Sequence, residues 1–108
     1  MSFEVKTIVT FEKKAKRLIR KFPSLKSELQ KLVSDLKTKP ETGIALGNQC
    51  FKIRIAIVSK GKGKSGGGRV ITCFKVFSGT VYLLTIFDKS EQESIGDKEL
   101  KELLAEIP

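Results

Sequence analysis

The sequence contains no histidine and no tryptophan, and only two cysteines, one methionine and one tyrosine. Without histidine the commonest general acid/base is missing, which excludes histidine-dependent triads and histidine metal sites. Cys50 and Cys73 are too few for the disulfide framework of a small secreted domain and lack metal-ligand spacing. Both fall in apolar strand-like runs and read as buried free thiols. No run approaches the roughly 20 apolar residues of a membrane-spanning helix, and the opening MSFEVKTIVT lacks a basic-then-apolar leader layout. A cytoplasmic protein with no membrane partner, no metal and no cofactor is therefore expected.

A further absence is the more informative one. Residues 42–87 carry seven Lys and Arg and no Asp or Glu, whereas residues 1–41 carry 11 and five, and residues 88–108 carry three and seven. A sheet region with no carboxylate of its own leaves its cations for an external polyanion. With a net charge of +9, nucleic acid ranks ahead of a membrane, because the cations lie mainly on a sheet and a turn instead of flanking an apolar helix face.

The 108 residues suffice for one core and make a single domain, 1–108. Phe3 to Val9 alternates as a first strand, and Thr10 is placed to cap a helix carrying Phe11, Ala15, Leu18, Ile19 and Phe22 at helical spacing. Pro23 ends it, and Ser24 caps a second helix with the stripe Leu25, Leu29, Leu32, Val33 and Leu36. Gly43 to Gly47 reads as a loop into a strand from Gln49 to about Val58. A third strand follows from about Arg69 to Phe77, then a turn at Ser78-Gly79 and a fourth strand from Thr80 to Phe87. Asp97 caps a last helix with Leu100, Leu103, Leu104 and Ile107 on one side. The expected class is α+β, ordered βααβββα: an antiparallel sheet core with an N-terminal helical hairpin and a C-terminal helix.

The chemistry concentrates between Phe51 and Ile71. Apolar Phe51, Ile53, Ile55 and Ile57 alternate with Lys52 and Arg54, which therefore share one strand face. Lys60, Lys62 and Lys64 then alternate with glycines before Arg69 opens the next strand. Pairing Arg54 opposite Arg69 sets Lys52, Arg54 and Arg69 on one face at cross-strand distances of about 5 Å, where like charges repel unless an anion sits among them. The same register opposes Cys50 to Cys73, but a disulfide directly across neighbouring strands is geometrically awkward and none is expected. Gly61-x-Gly63-x-x-Gly66 imitates a dinucleotide fingerprint, yet a strand follows where that motif requires a helix. Gly63-Lys64-Ser65 fails as a phosphate-binding loop for the same reason, and because Val58 stands where its first glycine belongs.

The run Cys50-Phe51-Lys52-Ile53-Arg54-Ile55, the turn Gly61-Lys62-Gly63-Lys64-Ser65-Gly66-Gly67, Arg69-Val70-Ile71, Leu83-Leu84 and Asp88-Lys89-Ser90-Glu91-Gln92-Glu93 resemble the RelE/HigB branch of the RelE/ParE toxin superfamily. The resemblance spans nearly the whole chain and implies a RelE-like fold. It further implies a type II toxin that acts in the ribosomal A site, against 16S rRNA, as a metal-independent endonuclease of mRNA. The substrate 2′-OH would attack the neighbouring phosphate and leave a cyclic phosphate. On that resemblance Lys52 assists 2′-OH deprotonation, Arg54 and Arg69 hold the phosphate, and Lys89 supplies the charge of a further arginine that several relatives carry. Glu91 and Glu93 are candidate bases, no aromatic being present in that region. Lys60, Lys62, Lys64 and Lys75 are the expected RNA-backbone contacts. An adjacently encoded, DNA-binding antitoxin is the implied partner. Two other readings stand beside this one: a ParE-like gyrase inhibitor with no nuclease chemistry, and a non-catalytic RNA- or ribosome-binding module.

Overall fold

The computed structural model describes residues 2–108. Its elements run β1 (Glu4–Thr7), α1 (Val9–Lys21), α2 (Leu25–Leu36), β2 (Ile44–Gly47), β3 (Cys50–Ile55), β4 (Gly68–Lys75), β5 (Thr80–Asp88) and α3 (Asp97–Leu104). They build one five-stranded sheet in the order β1-β5-β4-β3-β2. Only the β1–β5 pair is parallel, since the α1–α2 hairpin and the strands after it separate those two in sequence.

All nine residues of β5 are buried, which accounts for its nearly unbroken apolar run: a central strand covered on both faces needs no polar alternation. Leu18 of α1 and Leu25 and Leu36 of α2 are fully buried in one core with Val70, Leu83 and Ile86. The other face carries Tyr82, opposite Cys73 in the register. Tyr82 shares a small cavity with Ile107 and Pro108, so the chain end after α3 lies over that face.

The α+β class and the strand–helix–helix opening agree with the sequence expectation, with one added strand. The stretch expected as a loop, Gly43 to Gly47, contributes β2, which folds back along the first half of β3 with Ile44 opposite Lys52. Asn48 and Gln49 both take positive φ (54° and 63°), the pattern of a two-residue hairpin turn. Gln49 is thus in the turn and not in the strand. The expected caps also differ. α1 begins at Val9, and the Thr10 hydroxyl donates instead to the Glu106 carboxylate. Ser24 holds the N-cap position of α2 as expected but makes no side-chain cap bond there; it exchanges two 2.9 Å hydrogen bonds with Ser59, backbone N–H to hydroxyl oxygen in each direction, and so ties the helix corner to the chain after β3. Asp97 is the first residue of α3, and Gly96 occupies the cap.

Candidate nucleic-acid interface

The expected register between β3 and β4 is present: Arg54 lies opposite Arg69, Lys52 opposite Ile71 and Cys50 opposite Cys73. The Phe74 N–H donates to the Gln49 carbonyl at 2.9 Å, which makes that pair a hydrogen-bonded rung. Alternation then makes 50/73, 52/71 and 54/69 the non-hydrogen-bonded rungs, where side chains approach most closely. Two guanidinium groups on such a rung repel, and the fold deals with this by sending them to different surroundings.

Arg54 is exposed, while Arg69 is buried, 4% exposed. Arg69 turns into the basic loop and donates from Nη1 to the carbonyls of Lys64 and Gly68 and from Nη2 to that of Ser65, each at 3.0 Å. Its guanidinium is therefore a brace for the loop that precedes it. Burial, followed by the charge of Arg54, lowers its pKa below the ordinary arginine value.

Two more cations hold the same loop. Lys89 Nζ donates to the Ser65 carbonyl at 3.1 Å, and its backbone N–H to that of Gly67 at 3.0 Å. Lys60 Nζ pairs with the buried Asp88 carboxylate at 2.5 Å and donates to the Ser90 hydroxyl at 3.0 Å. Asp88 lies one residue past the acid-free segment. Burial opposes its charged form, but hydrogen bonds from Lys60 and Ser90 and the charge of Lys60 outweigh that, leaving the carboxyl below its ordinary pKa. Lys60 is thus engaged internally and does not present itself as a free RNA contact.

The loop's backbone completes the frame. Ile57, fully buried, exchanges hydrogen bonds with Lys62 at 3.1 and 3.2 Å across a short helical turn that closes at Gly61 with φ +76°. A Cβ on Gly67 would collide with the Ile55 carbonyl oxygen and lie 2.9 Å from that of Gly63. No side chain fits there.

What this frame presents outward is Lys62, Lys64 and Arg54, all exposed, beside the half-buried Lys52. Arg54 and Lys64 line one cleft together with Glu28 and Asp35 of α2. Among the described residues, neither acid forms an ion pair with Arg54. Lys75 is exposed at the far end of β4, opposite Thr80. Six residues of strand, about 20 Å, separate it from Arg69, so it does not join the cluster. Glu91 is held by Arg17 of α1 at 2.9 Å. The hydrogen bond from Arg17, against burial and aided by the charge of Arg17, keeps its carboxyl below the ordinary value. Glu93 is exposed. A groove of about 670 Å³ between α1 and α2 is apolar, lined by Phe11, Ala15, Ile19, Leu29 and Val33 among others, and includes none of these cations.

A family model described as the RelE toxin of the RelE/RelB toxin-antitoxin system matches residues 7–106. The chain belongs to the RelE toxin family. The structure of the Escherichia coli toxin RelE, a double arginine-to-alanine mutant in the free state, superposes with a TM-score of 0.63 at 15% identity, covering 100% of both chains. At that identity the likeness concerns the fold, and it extends over the entire RelE-like domain. Among the described residues of this RelE-family toxin no cluster of His, Cys, Asp and Glu could hold a metal ion. No described helix is long and apolar enough to cross a membrane.

Proposed function

We propose that this toxin is a ribosome-dependent mRNA endonuclease that cleaves message in the ribosomal A site. The observation that carries the reading is the division of labour among the cations: Lys60, Arg69 and Lys89 rigidify the loop from inside, and Arg54, Lys62 and Lys64 face outward from it beside Lys52. Ordered cations aimed at solvent suit a phosphate backbone, since no loop entropy is lost when the anion arrives.

In this reading Arg54 holds the scissile phosphate through its planar fork of donors. Lys52, two rungs away on the same face, takes the 2′-OH proton as that oxygen attacks phosphorus. The 5′-oxygen leaves and a cyclic phosphate remains. Arg69 adds positive charge from behind and positions the loop. Lys89 does the same from the other side, and Lys62 and Lys64 contact the 16S rRNA backbone. With no histidine in the chain, the leaving oxygen takes its proton from a lysine or from ribosomal RNA. An antitoxin of the RelB type, encoded adjacently and DNA-binding, covers the basic face until it is released.

The test is a reconstituted translation reaction. Purified toxin should cut message only when ribosomes are present, and Arg54→Ala and Lys52→Ala should abolish cutting with unchanged thermal unfolding. Intact message at stoichiometric toxin refutes the proposal. Unimpaired protein synthesis with accumulating DNA breaks would transfer the target to gyrase.

A further inference from the structure

We propose that Cys50 and Cys73 form a peroxide-sensitive dithiol that closes to a cross-strand disulfide at the base of the hairpin carrying the basic loop. The two residues are directly opposite in the β3–β4 register and stand on a non-hydrogen-bonded rung. On such a rung Cα atoms approach to about 4.5 Å and the side chains lean together, at the short end of the disulfide range. The awkwardness expected from sequence belongs to the other kind of rung, where the bonds of the ladder hold the side chains apart. Register parity therefore reverses that expectation.

The thiols also share a partner. The Asn48 carbonyl, in the left-handed turn, accepts from Cys50 Sγ at 3.4 Å and from Cys73 Sγ at 4.0 Å. Both cysteines are free and buried. When Cys73 loses its proton, the Cys50 S–H turns from the Asn48 carbonyl to the Cys73 sulfur; that hydrogen bond, against burial and with help from Lys75 two residues along the same face, draws the Cys73 thiol below its ordinary pKa, while Cys50 is driven up by the same bond and by burial. Lys75, two residues from Cys73 on the same face of β4, favours Cys73 as the nucleophile, with Cys50 the resolving thiol.

The route in is the cavity beside them. Gln49, adjacent to Cys50, and Tyr82, opposite Cys73, line it together with Ile107 and Pro108. At about 440 Å³ the cavity has room for hydrogen peroxide. The thiolate of Cys73 attacks one oxygen of hydrogen peroxide, the O–O bond breaks, and the sulfur becomes a sulfenic acid as hydroxide takes up a proton. Cys50 then attacks that sulfur, the S–O bond breaks, and a second water leaves. Two thiols are oxidised and one peroxide is reduced to two waters. The segment enclosed, 51–72, contains Lys52, Arg54, Lys62, Lys64 and Arg69, so the bond closes a ring around the loop and its cations.

The experiment uses the full chain treated with hydrogen peroxide and then alkylated. Intact mass should fall by two hydrogens with one intrachain Cys50–Cys73 link on peptide mapping, unchanged far-UV circular dichroism and full reversal by dithiothreitol. In Cys50→Ala, the remaining Cys73 should accumulate a sulfenic acid trapped by dimedone, whereas Cys73→Ala should stay unlabelled. Cysteines that remain reduced, links between two chains, or direct passage of Cys73 to sulfinic acid in the native chain would overturn the proposal. Equal labelling of the two single variants would overturn the assignment of the nucleophile.

Discussion

The Lys60–Asp88 pair ties the start of the basic loop to the end of β5, and removing either partner should have unequal effects. Asp88 is 1% exposed, so Lys60→Met leaves a buried carboxylate with only the Ser90 N–H and hydroxyl as donors. Breaking a buried pair from one side costs about 3–5 kcal/mol. Because 18% of the Lys60 side chain still reaches solvent, about 2–4 kcal/mol is the fitting range here. Asp88→Asn should cost less, about 1–2 kcal/mol, since the amide oxygen still accepts and the ammonium can swing to water. The double variant keeps the net charge and removes the conflict, so urea unfolding of all four proteins should give a coupling energy of about 1–3 kcal/mol. Single variants within about 0.5 kcal/mol of the parent would refute the assignment of Lys60 as a strut. A second readout separates strut from contact: the salt slope of RNA binding should be unaltered in the charge-neutral double variant. A fall of about 0.7 in that slope, the value for one lost phosphate contact on a single strand, would return Lys60 to the RNA surface.

Lys62→Gln and Lys64→Gln should each lower the salt slope of RNA binding by about 0.7 without changing the melting temperature, and an unchanged slope would place the nucleic acid elsewhere. Gly67→Ala should destabilise by about 1–3 kcal/mol, because the neighbours it meets are backbone atoms that cannot rotate away; a parent-like urea midpoint would show that the loop is looser than described. The depressed Asp88 pKa contributes stability that is complete above about pH 4, the ordinary carboxylate range, and is lost as pH falls through the folded value. Acid unfolding of Asp88→Asn should accordingly be shallower than that of the parent, and identical acid limbs would contradict the sign. Arg69→Ala should abolish message cutting together with loop order in amide exchange, whereas lost cutting with intact protection would make Arg69 a direct phosphate ligand.

Period-two alternation placed Lys52 and Arg54 on one strand face, and the Arg54–Arg69 and Cys50–Cys73 oppositions follow from strand polarity and the length of the intervening turn. Those features are local or nearly so, which is why they were legible in the sequence. β2 was not, because three residues between glycines carry too little pattern to stand out from a loop, and its pairing depends on the Asn48-Gln49 turn. The internal use of Lys60, Arg69 and Lys89 was hidden for another reason. Their partners are the carbonyls of Lys64, Ser65 and Gly68 and one acid, the last residue of β5, and backbone acceptors have no signature in a sequence. A lysine or arginine near glycines looks the same whether it faces water or the main chain. The carboxylate-free stretch counted seven cations as available, and the fold withdraws Lys60 and Arg69 from that number.

The interior position of β5, between β1 and β4, also sets the order in which a newly made copy becomes dangerous. Neither neighbour, β1 nor β4, completes its pairing before residues 80–88 exist, and the counter-ion Asp88 and the strut Lys89 come last among the parts that shape the loop. A nascent chain therefore lacks the braced basic loop until β5 and the lysine after it have been made and have paired.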